Sequence, residues 1–374
     1  MHLQTSNPQP EAAPIIIWEL TRACRLNCIH CTVGAQQRRS PLELSTYEAY
    51  KTIDQIVAMK PSEVIFTGGD ILERADIYQL LDYARRRGLK PTVTLSVTPA
   101  LTGAVVGKLR HNGAERIALS IDSAAPERHD GLRGLSGQFS ATLLALRWAR
   151  TADIKLEVNT LVGHRNLDEL RPLAELLGDI GIERWNVYFH VPTGQAKHVE
   201  MLTADEVEAT FETLFELSER TAFTIRTFEA PQYRRFVMEK IARAKRESLD
   251  RFFDAATDAP PPPEVRMAGV TANEMLFISH TGEVSLSPFV PLTAGNVRYQ
   301  PLSIVYRTAE LFAALRDTGN LKGKCGRCEF RSTCGGSRAR AFAMSGDLFA
   351  TDPLCAYQPG AFAPAATTLA TADV

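Results

Sequence analysis

The chain has 374 residues, too many for one small core, and at about 150 residues per domain it predicts two domains or three. Its composition, 45% hydrophobic and 23% charged, is that of an ordinary globular protein. Lys and Arg number 42 against 43 Asp and Glu, a net charge of −1, which argues against a general nucleic-acid binder with its basic excess or stripe.

The first residues, MHLQTSNPQPEAAP, carry neither a basic start nor an apolar core, so they are no secretory signal. Residues 1–13 are expected to be a disordered arm. No apolar run reaches the roughly 18 residues of a membrane span, and the chain is expected to be cytoplasmic, with no membrane or nucleic-acid partner. From residue 14 to 230, strand-like and helix-like segments alternate. PIIIWELT, SEVIFTG, PTVTLSV, ERIALSID, KLEVNTLV and RWNVYFHV read as six strands. Between them the pattern predicts helices from Ser45 to about Met59 and over roughly 75–87, 102–111, 139–151, 167–178 and 203–220. Ser45 with Glu48 and Thr203 with Glu206 are capping boxes. Asn166, with Asp168 and Glu169, marks a further helix start. Six strands alternating with helices predict an α/β fold with a parallel sheet, closed or half-closed. Such folds bind ligands in the loops after the strands.

The alternation then stops. Residues 231–272 read as a connector: polar helix over 231–257, then the stiff run Pro260 to Pro263. Residues 273–358 read as a second domain. It opens with a hairpin around Thr281-Gly282, followed by a helix near 308–317. Residues 359–374 are expected to be a disordered tail.

The seven cysteines fall into two groups: Cys24, Cys28 and Cys31, and then Cys325, Cys328, Cys334 and Cys355. Buried structural cysteines would be scattered. An odd, clustered set in a reducing compartment points to metal or cluster ligation rather than disulfides. Three thiolates just after the first strand satisfy three irons of a 4Fe–4S cluster and leave the fourth open. An open coordination position marks chemistry rather than structure. Zinc held by the three cysteines and His30 is the alternative. The four later thiols are a complete set for one ordinary 4Fe–4S cluster, or for zinc.

The pattern Cys24-x3-Cys28-x2-Cys31 after the first strand of an α/β chain resembles the radical S-adenosylmethionine (SAM) enzymes. That resemblance implies a partial (β/α)6 TIM-like barrel. It also implies a cluster whose open iron chelates SAM, and reductive cleavage of SAM to a 5′-deoxyadenosyl radical that abstracts hydrogen from substrate. Thr67-Gly68-Gly69-Asp70 resembles the family's GGE motif, implying that Gly68, Gly69 and Asp70 bind the SAM ammonium, with Asp in place of the usual Glu. A plain strand-to-helix turn is the alternative. ALSIDSAAPERHDGLRG resembles a second family region. It implies that Ser120 or Asp122 meets polar groups of SAM and that Arg133 meets its carboxylate, a fit for the planar guanidinium. His129-Asp130 reads as a helix-start pair, and His30 sits where the family places a residue near the adenine.

The second cysteine group resembles the SPASM/Twitch C-terminal domains, small α+β iron–sulfur modules. Here Ser287 and Ser337-Arg338 stand where the full pattern has further cysteines. Three plus four thiols use all seven, implying one SAM cluster and one auxiliary 4Fe–4S cluster. CGGSRARA and GDLFATDPLC resemble the enzymes of the alternative haem pathway and of haem d1 biosynthesis, and mycofactocin-type maturases. The implied substrate is a tetrapyrrole, modified on its side chains; the alternative is a ribosomally made peptide, and a non-catalytic iron–sulfur or zinc protein is a third reading. Against the peptide, about 14 residues before the first strand form no recognition domain. A ferredoxin or flavodoxin is the implied electron donor. Substrate contacts are expected from Ser96 to Pro99, Asn159, and Tyr188 to Gly194.

Overall fold

The computed structural model describes residues 13–26, 28–31, 34–254 and 270–362. The expected arm, the proline run and most of the tail lie outside these residues. The first half alternates as the sequence predicts: β1 (Ile15–Glu19), α1 (Thr46–Met59), β2 (Glu63–Thr67), α2 (Ile77–Arg86), β3 (Thr92–Thr94), α3 (Gly103–His111), β4 (Arg116–Ser120), α4 (Pro126–Arg133), α5 (Gln138–Thr151), β5 (Lys155–Val162), α6 (Leu170–Ile180), β6 (Arg184–Phe189) and α7 (Ala204–Ser218). Both expected capping boxes form, Ser45 with Glu48 and Thr203 with Glu206.

A seventh strand, β7 (Thr224–Phe228), follows before α8 (Gln232–Asp254). Sequence reading missed it because TIRTF is short and its outer neighbours are polar. The remainder comprises β8 (Met275–Ile278), β9 (Glu283–Ser285), β10 (Gly295–Asn296), α9 (Leu302–Thr308), α10 (Glu310–Arg316), α11 (Gly323–Arg327) and α12 (Arg338–Ser345). Here β8 and β9 are the predicted antiparallel hairpin.

All ten strands join one sheet, in the order β10-β9-β8-β1-β2-β3-β4-β5-β6-β7. Each of β1 to β6 pairs in parallel with the next. Their C-terminal ends therefore share one edge, where the intervening loops meet. The later segment does not stand apart: β8 pairs in parallel with β1 through Met275 and Ile15.

The alternation within β1 shows how the layers form. Ile16 and Trp18 are fully buried among the helices that cover the sheet, while Ile15 and Ile17 turn to the inner face. There they meet Phe228, Val270, Met275 and Tyr188 in a separate apolar cluster. Below this cluster, charged side chains fill the interior. Arg226 pairs with Glu63 at 2.5 Å, and Arg184 bridges Glu63 and Glu157 at 3.0 Å each. Such charges are buried because each has an opposite partner. They plug one end of the inner space and leave the strand-end side as the opening.

Candidate functional site

The loop after β1 carries the first three cysteines onto the strand-end edge. Its path is fixed by backbone pairing with the end of β2: Gly69 N–H donates to Thr21 O at 2.8 Å and Asp70 N–H to Ala23 O at 2.6 Å. The approach is so close that a β-carbon at Gly69 would lie 2.4 Å from Ala23 O, and one at Gly68 would lie 2.4 Å from Thr21 O. Only glycine fits both places.

A cavity of about 280 Å³ opens at this edge. Cys24, Cys28, His30 and Cys31 line it together with Gly68, Gly69, Ser120, Asp122 and Arg133, residues brought there from the ends of β1, β2 and β4. The Cys24 thiol lies 3.9 Å from the Ser96 hydroxyl, which in turn donates to Gly69 O at 2.6 Å. Burial raises the Cys24 thiol above its ordinary pKa. Burial also raises Cys28, opposed by the Arg133 guanidinium, whose Nη1 is 4.0 Å from the Cys28 sulfur.

Arg133 is spoken for by the protein. Its Nη2 lies 2.6 Å from Asp122 Oδ2, and both groups are largely buried. Burial works to raise the Asp122 carboxyl, but Arg133, then His30 and His129, outweigh it and hold it below the usual carboxylate range. Asp122 Oδ1 accepts from Leu161 N–H at 3.0 Å, and His129 Nδ1 accepts from the Asp122 N–H at 3.2 Å. His129 is therefore a brace for the end of β4. Its neighbour Asp130 does act at a helix start, though of the next helix: its carboxylate accepts from Gly137 N–H at 2.5 Å and Phe139 N–H at 2.8 Å, capping α5.

Asp70 is placed differently from the expectation. It is fully buried and does not line the cavity. Its carboxylate accepts from Thr98 Oγ1 at 2.8 Å and from Leu72 N–H at 3.0 Å, and burial raises its pKa. It fastens the β2 loop to the β3 loop, and Thr67 and the two glycines are the motif residues that line the cavity.

Of the expected substrate contacts, Ser96, Val97, Asn159, Tyr188, Phe189 and Val191 line the cavity, whereas Thr98 holds Asp70. His190 faces a second cavity behind Asp122, shared with His30, Gly163 and Asn166. Nδ1 of His30 is buried without a protein partner, and His190 is buried beside the Ala196 backbone. Burial lowers both histidines to about 4, so they are neutral near pH 7. Sequence reading missed the cavity's far wall: Phe228 at the end of β7 with Glu229 just past it, and Met275, Phe277, Pro288 and Phe289 from the β8–β9 region. Tyr188 and Phe228 stack there at 4.6 Å, nearly parallel. The hairpin pattern was visible in the sequence; its closure over β1 was not.

The second cysteine group comes together in space. Cys325, Cys328, Cys334 and Cys355 line one small pocket, with Gln232 and Phe330. Burial raises the thiols of Cys328, Cys334 and Cys355, that of Cys355 to about 11. Among the described residues, no three His, Cys, Asp or Glu side chains converge as a single metal ion requires. A 4Fe–4S cluster puts each thiolate on a separate iron and so needs its sulfurs spread around a larger body. The donor sets fit such groups: three thiols on the wall of the larger cavity, four around a small pocket.

A family model for the radical SAM superfamily matches residues 18–177. The AdoMet-dependent heme synthase of Methanosarcina barkeri is 35% identical over 93% of this chain and 98% of its own length. The chain belongs to the radical SAM superfamily. The AdoMet-dependent heme synthase of Oleidesulfovibrio alaskensis is likewise 35% identical, over 93% of this chain and 88% of its own. Among solved structures, Streptococcus suis SuiB bound to S-adenosylmethionine shares the fold, with a TM-score of 0.69 and 15% identity over 92% of this chain and 78% of that one. This radical SAM chain is an enzyme of TIM-like α/β architecture. The family implies SAM and a 4Fe–4S cluster as its cofactors. No helix among the described residues is long and apolar enough to cross a membrane.

Proposed function

We propose that this radical SAM enzyme modifies the side chains of a tetrapyrrole. The observation that carries the reading is identity of 35% along nearly the whole chain to proteins named AdoMet-dependent heme synthase. The cavity supports it: an apolar and aromatic wall of Tyr188, Phe228, Phe277 and Phe289 faces the thiol side, a surface suited to a large flat ring.

Cys24, Cys28 and Cys31 would hold the SAM-binding cluster, and Cys325, Cys328, Cys334 and Cys355 an auxiliary 4Fe–4S cluster. When bound, the first cluster with SAM supplies a 5′-deoxyadenosyl radical that takes a hydrogen atom from substrate. The chain's own residues prepare the place. The carbonyl edges of Gly68 and Gly69 offer acceptors to an ammonium, while Asp70 keeps that loop in position. The ion pair between Asp122 and Arg133 puts fixed charge beside Cys28, and the Arg133 Nε is buried and still unpartnered. Ser120 adds a hydroxyl at the same edge. His30 and His190 offer neutral ring nitrogens to a purine-like ring in the second cavity. The aromatic wall keeps water from the reacting carbon. We read the protein as cytoplasmic, with a ferredoxin or flavodoxin as electron donor.

The test is anaerobic reconstitution, then incubation with SAM, dithionite and iron coproporphyrin. Formation of 5′-deoxyadenosine together with loss of carboxyl groups from the porphyrin, read by mass spectrometry, is the expected result. Nucleoside formation with an untouched porphyrin refutes the tetrapyrrole reading. A candidate peptide run in parallel identifies the maturase reading instead.

A further inference from the structure

Glu229 stands in the cavity's far wall, and its placement there is costly. It is 6% exposed and lines the central cavity just past β7. Its backbone φ is 55°, in the left-handed region that a residue with a β-carbon rarely adopts. The conformation points the carboxylate away from the barrel strands toward the C-terminal cysteine region. There Ser337 Oγ donates to Glu229 Oε2 at 2.5 Å.

Ser337 follows Cys334-Gly335-Gly336, and the chain on both sides of it is tied to the thiols. Gly336 N–H lies 3.4 Å from the Cys334 sulfur, and Arg338 Nη2 lies 3.7 Å from the Cys325 sulfur. The Ser337 N–H donates to Asp352 Oδ2 at 2.7 Å, as does Gln232 Nε2 at 2.5 Å. Gln232 lines the four-thiol pocket. Arg340, 1% exposed, donates to Glu229 O at 2.9 Å and approaches Asp352 at 3.3 Å. A buried polar chain thus runs from the cavity wall to the segment that contacts the Cys325 and Cys334 sulfurs. In so dry a path a charge is felt far more strongly than at a surface.

We propose that the Glu229–Ser337 pair couples the charge on the cavity wall to the reduction potential of a cluster held by Cys325, Cys328, Cys334 and Cys355. Glu229 is a positioning residue: it touches the cavity and acts on the cluster through Ser337. The inference rests on the auxiliary-cluster reading above. A negative carboxylate at Glu229 disfavours an added electron and lowers the midpoint; a neutral carboxyl raises it. Burial lifts the Glu229 carboxyl above its ordinary range, so it gives up its proton at a higher pH than an exposed glutamate does. The charged groups that face it are Arg338, Arg340 and Asp352. Tyr188, which also senses Glu229, is pushed up from its ordinary range by burial.

The experiment is a redox titration of the reconstituted full chain, followed by electron paramagnetic resonance at several pH values, for wild type, Glu229→Gln and Ser337→Ala. The expected result is an auxiliary midpoint that falls as pH rises in wild type, stays level in Glu229→Gln, and falls less steeply in Ser337→Ala. Equal slopes in wild type and Glu229→Gln, with the auxiliary signal present, overturn the coupling. A parallel Cys334→Ala chain that binds as much iron as wild type overturns the auxiliary cluster itself, and the coupling with it. Melting curves and iron per chain show that each variant is folded and loaded.

Discussion

Replacing Gly69 by alanine tests how the first cysteine loop is held. A β-carbon there would meet Ala23 O at 2.4 Å and Arg22 O at 2.8 Å, both backbone atoms that cannot rotate aside. The shorter contact is about 1 Å inside ordinary van der Waals separation. Overpacking of this kind costs about 1–3 kcal/mol. Relief requires the loop to leave β2, which breaks the Gly69-to-Thr21 and Asp70-to-Ala23 hydrogen bonds, at about 1 kcal/mol each. The combined cost, about 3–5 kcal/mol, does not exceed the stability of a typical domain, so the chain stays folded while Cys24 moves. The assay is iron per chain after anaerobic reconstitution, with 5′-deoxyadenosine formation and a thermal melt alongside. Gly69→Ala should lose about half the iron and nearly all nucleoside formation, with four irons expected in each cluster. Gly107→Ala is the control: it lies in α3 with open space around it, and alanine there should stabilise by about 0.5–1 kcal/mol. Full iron and full nucleoside formation in Gly69→Ala would refute the close-approach argument.

Other expectations concern charge and capping. Arg133→Gln leaves Asp122 buried without its counter-charge and should cost about 3–5 kcal/mol in urea unfolding; a loss below 1 kcal/mol would show that the pair is not buried in solution. Asp130→Ala removes two acceptors from the start of α5 and should cost about 1–2 kcal/mol, with iron content unchanged. His129 and His190 are both lowered to about 4, chiefly by burial. Their unfolded pKa is near 6.5, so the unfolded chain binds more protons between pH 6.5 and 4. Stability should therefore be fully present above pH 6.5 and fall as pH drops toward 4, by up to about 1.4 kcal/mol per pKa unit for each group. Proton NMR showing either ring titrating near 6.5 would contradict this. Cys334→Ala should keep 5′-deoxyadenosine formation but lose product if the auxiliary cluster accepts an electron from substrate; unchanged product yield would sink that role.

The sequence by itself determined what short range encodes. Spacing put Cys24, Cys28 and Cys31 in one loop, and period-two apolar runs marked six of the strands. Ser45 and Thr203 with their glutamates marked helix starts, because a capping box closes within four residues. Glycine at 68 and 69 signalled close approach, though the neighbour it serves is the cysteine loop's own backbone. Only the tertiary structure decided which polar groups face the cavity and which face one another. Asp70 and Asp122 both follow strands, yet one is consumed by Thr98 while the other borders the thiols. Arg133, the last residue of α4, found its partner in Asp122 just after β4, and β8 closed the cavity by pairing with β1 across some 260 residues. Glu229 and Ser337 lie more than 100 residues apart and share no motif. Long-range pairs leave no periodic trace in a sequence, because what selects them is the burial of a polar group that must find a partner once the chain has packed.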